Sequence, residues 1–294
     1  MTAPGAGSPA VVVLSHVSDD DARRLVETLR SRAIVSARIV TDIDLALATW
    51  RHEPGCGAAS GERDQVVLPD GTMLHRATVA AIYCRLQGIE PLRLAAAAGA
   101  DHEYATAELQ ALVVSWLTAL GRRVVNPPVP PWLVGRQRGQ FEWLALGARA
   151  GLATADLVLA SSASRVSRHG LVRYPLPAQL QVPSWTWASP DAVPPGRRPA
   201  LYIDERVGAL RRVLVVADAD VADDPKAAGY LRLARLARCD VLEAQVMSRA
   251  NQEFLVGASP IPRLDNDTKV QRLATFLEQR ARDPANSSSV TEPR

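Results

Sequence analysis

The stretch from residue 10 to residue 40, "AVVVLSHVSDDDARRLVETLRSRAIVSARIV", constrains the fold more than any other part of the chain. Val11 to Leu14 form an uninterrupted apolar run that is typical of a buried strand. Leu25 and Leu29 then recur at helical spacing, and a second strand follows near residues 38 to 40. A strand, a helix and a strand over so short a distance make a βαβ unit, whose two strands pair in parallel. The sequence therefore predicts an α/β fold that begins with a parallel-sheet lobe.

The last third of the chain has the pattern of an antiparallel α+β lobe. The segments "DVLEAQVMS" and "EFLVGAS" predict two strands that pair across a turn at residues 249 to 252, and "DTKVQRLATFLEQRA" predicts a closing helix.

These patterns divide the chain into four segments. We expect an N-terminal α/β lobe at residues 1–125, a linker helix with a shortened central subdomain at 126–200, and a C-terminal lobe at 201–283. Residues 284–294, "PANSSSVTEPR", are expected to be a disordered tail because they have almost no apolar surface to bury.

Composition excludes several classes of partner. The formal net charge is +3, which is small for a dedicated nucleic-acid-binding protein, and no apolar run reaches the ~20 residues that cross a bilayer. The first ten residues lack the basic and apolar regions of a secretory signal, and the three cysteines show no CxxC spacing. We expect a cytoplasmic, reduced protein that has neither a nucleic-acid nor a membrane partner.

Two common catalytic patterns are missing from the sequence. No GxGxxG motif follows the first strand, so the fingerprint of a dinucleotide site is absent. Ser115, Ser184 and Cys84 have no local histidine partner pattern. The sequence therefore predicts neither a dinucleotide site nor a nucleophilic residue.

Three segments together resemble the ATP-grasp superfamily, most closely its glutamate-adding and peptide-modifying ligases. The first is "VVNPPVPPWLVGRQRGQFEWLALGARAGLATADLVLAS", which is similar to the family's Asn-Pro turn and lobe-joining helix. The second is "ALYIDERVGALRRVLVVADADV", which resembles its adenine-framing hinge strand. The third, "YLRLARLARCDVLEAQVMSRANQEFLVGASPIPRLD", resembles its last helix and metal-bearing hairpin. With the N-terminal lobe, the likeness spans most of the chain and implies an abridged ATP-grasp-like fold.

The resemblance implies ATP as the nucleotide and assigns roles to four residues. Asp204 or Glu205 falls in the hinge and is expected to contact the ribose or frame the adenine. Arg212 or Arg211 falls where the family has a phosphate-contacting arginine, and a guanidinium suits that role.

At the metal site, the sequence departs from the family. The first metal carboxylate aligns near Gln245, with Glu243 two residues earlier as a substitute on the same strand face. The second carboxylate aligns at Val256 and the metal asparagine at Ala258, and neither side chain can ligate Mg²⁺. The central segment 161–200 also contains no lysine to bind phosphate.

These departures lead to one expectation and two alternatives. We expect a divergent, pseudoenzyme-like protein that binds a nucleotide, a peptide or both in the cleft between the lobes, in a peptide-tailoring or specialised-metabolite pathway. Its ligase activity is expected to be weak or lost. One alternative is an active ATP-dependent carboxylate–amine ligase with Glu243 and Asp265 as relocated metal ligands. The other is a non-catalytic module that holds a partner protein.

Overall fold

A computed structural model describes residues 10–53, 64–96, 98–155, 157–160, 171–174, 200–204, 210–217, 225–249 and 252–283. The expectations for Glu205 and for the tail after residue 283 lie outside these residues. None of the helices within the described ranges is long and apolar enough to cross a membrane.

The described residues form thirteen strands and six α-helices. The strands are β1 (Ala10–Ser15), β2 (Ser36–Thr41), β3 (Thr49–Arg51), β4 (Gln65–Val67), β5 (Met73–Leu74), β6 (Val79–Cys84), β7 (Val124–Val125), β8 (Leu157–Ala160), β9 (Leu171–Tyr174), β10 (Ala200–Asp204), β11 (Leu210–Val216), β12 (Val241–Arg249) and β13 (Gln252–Ser259). The helices are α1 (Asp20–Arg32), α2 (Asp42–Leu47), α3 (Gly99–Leu120), α4 (Gln140–Arg149), α5 (Pro225–Ala237) and α6 (Asp267–Arg282).

The chain divides into two compact units. Unit 1 comprises residues 1–137, 238–241 and 263–294, and unit 2 comprises residues 138–237 and 242–262. The closing helix α6 belongs to unit 1 by its contacts, whereas the sequence groups it with the C-terminal lobe. The lobe boundaries near residues 125 and 200 stay a prediction.

A parallel sheet of four strands, in the order β2-β1-β6-β7, forms the centre of unit 1. Val11 to Leu14 of β1 and all six residues of β6 are buried. Strands covered on both faces read as continuous apolar runs, which is why this sheet is visible in the sequence. The predicted βαβ unit is confirmed, with β1 and β2 parallel across α1.

Helix α1 begins at a capping carboxylate. The Asp19 side chain accepts a hydrogen bond from the backbone N–H of Ala22 at 3.0 Å, and Leu25 and Leu29 are fully buried. The other face of α1 carries arginines that reach α6, since Arg32 donates to Glu278 at 3.1 Å and Arg24 to Asp267 at 2.9 Å. These bonds tie the last helix of the chain to the first.

A small antiparallel sheet, in the order β3-β4-β5, also lies in unit 1. The turn between β4 and β5 contains the sequence Pro69-Asp70-Gly71, and Gly71 has a φ of 82°, in the region that glycine adopts without steric cost. The two strands pair antiparallel and form a hairpin.

Unit 2 contains two antiparallel arrangements of strands. Strand β10 pairs antiparallel with β8 on one side and with β9 on the other. The second sheet has the order β11-β12-β13, with β12 and β13 antiparallel as the sequence predicts. Helix α4 lies against β13 at a glycine, because a Cβ on Gly147 would stand 2.3 Å from Leu255 Cδ2.

Two buried ionisable side chains in β6 predict a loss of stability at alkaline pH. Burial raises the pKa of Tyr83 from 10.0 to about 12 and the pKa of Cys84 from 9.0 to about 12. Both groups are neutral when protonated, so the folded state holds these protons more tightly than the unfolded state. The contribution of these two groups to the free energy of unfolding is complete below ~pH 9 and is lost as the pH rises from ~9 to ~12. We expect the free energy of unfolding, measured with urea, to fall by about 3–4 kcal/mol between ~pH 8 and ~pH 11.

The Tyr83→Phe variant is the matched control for this prediction. The variant has no phenolic proton, and its free energy of unfolding should fall by about 1 kcal/mol less than that of the parent over the same pH interval. Equal losses in the variant and the parent chain would show that Tyr83 does not contribute.

Candidate functional site

The hairpin of β12 and β13 holds the positions that the sequence compares with a metal site. Glu243 pairs with Ser259, and Gln245 pairs with Gly257. Glu243 and Gln245 are two residues apart on one strand, so their side chains lie on the same face of the sheet. Ala244 pairs with Ala258, and residues directly opposite each other share a face. Ala258 therefore lies on the face opposite to that of Glu243.

A β-bulge in β13 lies between these pairs. Gln245 pairs with Gly257 but Val246 pairs with Leu255, so Val256 is an extra residue with no partner in the ladder. Two positions separated by two residues ordinarily share a face, as the sequence alignment of Val256 and Ala258 assumes. The bulge interrupts this alternation, and the two side chains do not point to a common place.

The side chain of Val256 lies in an apolar cluster. It is 4% exposed and packs with the buried Met247, and the partly buried Ala155 and Leu210 pack against the pair. A charged metal ligand at this position would lie among apolar side chains.

Glu243 and Arg212, which the sequence proposed for different roles, lie together. Arg212 Nε is 3.6 Å from Glu243 Oε1, and the side chains are 22% and 2% exposed. A charge that is removed from water needs such a counter-charge. This pairing has no signal in the sequence, because the two residues lie on different strands, thirty-one positions apart.

Arg211 has a different environment from its neighbour. Its side chain is 54% exposed and forms an ion pair with Glu253, whose other carboxylate oxygen is 3.7 Å from Lys226 Nζ. Consecutive strand residues point to opposite faces, so the two arginines serve different faces of the sheet.

The other predicted site residues have different recorded neighbours. Asp265 belongs to unit 1, where its carboxylate lies 2.9 Å from Lys269 Nζ and accepts from the Asn266 amide at 3.1 Å. Asp204 ends β10 opposite Leu171, and Glu205 lies outside the described residues. Within the described part of the chain, no group of three or more His, Cys, Asp or Glu side chains is arranged to hold a metal ion.

Comparison with known proteins identifies the fold of the chain. No protein-family model matches the chain, and no curated protein sequence matches it significantly. Solved structures do match. The ATP-grasp ligase PsnB, complexed with a minimal precursor, aligns with a TM-score of 0.64 at 15% identity over 92% of this chain and 98% of that one. The macrocyclase MdnC from Microcystis aeruginosa MRC, bound to the precursor peptide MdnA, aligns with a TM-score of 0.67 at 12% identity over 92% and 99%. The chain has an ATP-grasp-like fold.

A third neighbour of known structure contains both a nucleotide and a peptide. The RiPP-associated ATP-grasp ligase of Chryseobacterium gregarium, in complex with ADP and a leader and core peptide, aligns with a TM-score of 0.60 at 9% identity over 92% of this chain and 96% of that one. The predicted resemblance to peptide-modifying ATP-grasp ligases is thus confirmed at the level of the fold.

Proposed function

We propose that this chain is an ATP-grasp-like protein of peptide tailoring that binds a nucleotide and a peptide and whose ligase chemistry is weak or lost. The observation that carries the proposal is the environment of Val256, where the resemblance expects a metal carboxylate. Its side chain is enclosed by Met247, Leu210 and Ala155. The position is part of the apolar packing of the sheet.

The remaining donors at the hairpin do not fit Mg²⁺. This ion takes several hard oxygen ligands in octahedral geometry. Glu243 is the one carboxylate among the aligned positions of the hairpin, and it is already paired with Arg212. Phosphoryl transfer depends on electrostatic stabilisation of the moving charge, so a site with this donor set is expected to support the reaction poorly.

The proposal assigns nucleotide phosphate to Arg212. Its side chain is partly exposed and its guanidinium forms the planar fork that suits a phosphate. Binding would then replace or share the contact with Glu243. Support for a peptide partner comes from the structural neighbours, which are complexed with precursor peptides.

An active ligase with Glu243 and Asp265 as relocated metal ligands is less well supported. Each carboxylate already has a cationic partner, Arg212 in one case and Lys269 in the other. A ligand role would require both ion pairs to open.

A thermal-shift titration tests the nucleotide part of the proposal. A ligand that binds only the folded state adds about 2.7 kcal/mol at a hundredfold excess over Kd. ATP is expected to raise the unfolding temperature of the parent chain whether Mg²⁺ or EDTA is present. Arg212→Ala should weaken ATP binding by about 1.5–3 kcal/mol, the range for a charge-assisted hydrogen bond. Arg211→Ala, the matched control on the other face, should bind ATP as the parent does.

Two results would contradict the proposal. If ATP did not raise the unfolding temperature of the parent chain, the nucleotide role would be wrong. The result would then favour the alternative of a non-catalytic module that holds a partner protein. If the purified protein released ADP from ATP while joining a carboxylate to an amine at an ordinary enzymatic rate of about 1–10 per second, ligase chemistry would be intact.

A further inference from the structure

A histidine, an aspartate and a serine in unit 1 form a chain of hydrogen bonds beside a cavity. His52 Nδ1 lies 2.9 Å from Asp64 Oδ1, and His52 Nε2 lies 2.7 Å from Ser115 Oγ. The side chain of His52 is 3% exposed and that of Asp64 is 15% exposed. The arrangement is that of a nucleophile, a base and an orienting carboxylate, which recurs on unrelated folds and is recognised by geometry.

Regular secondary structure positions each member of this group. His52 follows β3 and Asp64 precedes β4, and the adjoining residues Arg51 and Gln65 pair across the two strands. The backbone N–H of Glu53 also donates to Asp64 Oδ1 at 3.0 Å, which fixes the carboxylate beside the imidazole. The hairpin thus presents the His–Asp pair as a unit.

Helix α3 brings the serine to this pair. Trp116, next to Ser115, is 1% exposed and meets the ring of Trp50 edge-on at a centroid distance of 5.6 Å. The indole N–H of Trp50 donates to the backbone carbonyl of Leu45 at 3.1 Å. This contact seats α3 against β3 two residues before His52, so the Ser–His distance is set by packed aromatic rings.

The directions of the hydrogen bonds suit general-base chemistry. An ionised carboxylate only accepts, so a neutral imidazole at His52 places its hydrogen on Nδ1 towards Asp64 and leaves Nε2 to accept from the Ser115 hydroxyl. Two threonines on the same helix behave differently, since Thr106 donates to the carbonyl of His102 at 2.8 Å and Thr118 to that of Val114 at 2.7 Å. Hydroxyls in a helix commonly bond to the carbonyl four residues earlier, whereas Ser115 bonds to an imidazole.

The cavity beside this group defines a class of substrate. It has a volume of about 890 Å³, is lined by both His52 and Ser115, and has largely apolar walls that include Ala111, Val114 and Pro130. Gln110 also lines it; its amide donates one hydrogen bond to the carbonyl of Pro131 at 2.7 Å and carries a second N–H that a substrate carbonyl can accept from. The volume of the cavity suits a small organic molecule, its apolar walls suit an apolar chain, and the Gln110 amide suits one carbonyl group.

We propose that Ser115 is a catalytic nucleophile that hydrolyses carboxylic esters with an apolar acyl chain, with His52 as general base and Asp64 as its positioning residue. Ser115 Oγ bonds to the ester carbonyl carbon as its proton passes to His52 Nε2. The bond from this carbon to the alcohol oxygen breaks, and His52 returns the proton to the departing alcohol. Water then attacks the seryl ester through the same base, which releases the carboxylic acid and restores the hydroxyl.

Covalent labelling with a fluorophosphonate tests the nucleophile. The probe should modify Ser115, located by peptide mass spectrometry, and Ser115→Ala should abolish the labelling. Ser31 on α1 is the internal control, because it is exposed and its hydroxyl donates to the Thr28 carbonyl. Ser31 should stay unmodified, and Ser31→Ala should label as the parent does. Labelling of Ser31 and Ser115 to the same extent would overturn the proposal.

Variants of the other two residues separate catalysis from folding. His52→Gln should lower the rate of labelling and of p-nitrophenyl butyrate hydrolysis by about 10²–10⁴-fold, the usual contribution of a general base. Asp64→Asn should also lower both rates, and Asp64→Glu, which keeps the carboxylate, should recover part of them. Each rate is compared only among variants whose thermal unfolding remains cooperative. Unchanged rates in His52→Gln, or labelling of Ser115 without ester turnover, would overturn the proposed hydrolysis.

Discussion

Replacing Asn126 by alanine is expected to lower the free energy of unfolding by about 3–5 kcal/mol, a large share of the 5–15 kcal/mol typical of a folded domain. Asn126 is fully buried. Its Nδ2 donates to the Val241 carbonyl at 2.7 Å, and its Oδ1 accepts from the Val241 N–H at 3.0 Å. Alanine would leave both backbone groups buried without these partners, and each such group costs about 1–3 kcal/mol. The residue also has a φ of 54°, a conformation that asparagine tolerates better than alanine.

Asn266→Ala is the matched control for this substitution. Asn266 caps α6 by accepting from the backbone N–H of Lys269 at 3.0 Å. Loss of such a cap typically costs about 1 kcal/mol. Urea unfolding monitored by circular dichroism measures both variants. If Asn126→Ala cost no more than Asn266→Ala, the bridge to Val241 would not be the stabilising contact described here.

Asp19→Ala is expected to destabilise the protein by about 4–5 kcal/mol, because it removes a helix cap and the main partner of a buried cation together. The side chain of Arg85 is only 5% exposed. Its Nε lies 2.7 Å from Asp19 Oδ2, and its Nη2 lies 3.5 Å from Asp21 Oδ2. Burial opposes the charged form of Arg85, yet the pKa of Arg85 is raised overall, by Tyr83 when that phenol is ionised and by the carboxylates of Asp19 and Asp21. Without Asp19 the guanidinium would keep a weaker set of partners.

Two controls separate the two contributions of Asp19. Asp19→Asn keeps an oxygen that can cap α1 but removes the charge beside Arg85, so its stability should lie between those of Asp19→Ala and the parent. Asp20→Ala changes an exposed carboxylate that pairs with Arg23 in the first turn, and an exposed pair of this kind is worth about 0.2–1 kcal/mol. Similar losses for Asp19→Ala and Asp20→Ala would contradict the buried ion pair.

The parts of the fold that the sequence predicts correctly depend on local patterns. Residues 10 to 40 are predicted as strand, helix and strand because a continuous apolar run is followed by apolar residues at helical spacing and then by a second strand-like segment. Strands β12 and β13 are predicted as a hairpin because a short turn separates them. Helix α2 was missed, although Thr41 and Asp44 form a capping box at its start, because six residues give little periodicity.

The candidate sites could not be predicted in the same way. The ion pair of Arg212 and Glu243 crosses between strands, and the hydrogen bond from Ser115 joins residues sixty-three positions apart. The sequence shows no local histidine partner for Ser115, because only the fold brings His52 to it. The bulge at Val256 has no sequence signal of its own, and it changes which side chains of β13 share a face.

That bulge has a consequence for anyone who wishes to install cation binding in this hairpin. Exchanging Val256 and Ala258 for oxygen-bearing residues alters their chemistry but leaves them aimed in different directions. To place both side chains on one face of the sheet, a residue of β13 would have to be deleted so that successive side chains again alternate between the two faces. In this strand the number of residues, and not only their type, determines which side chains can bind one ion together.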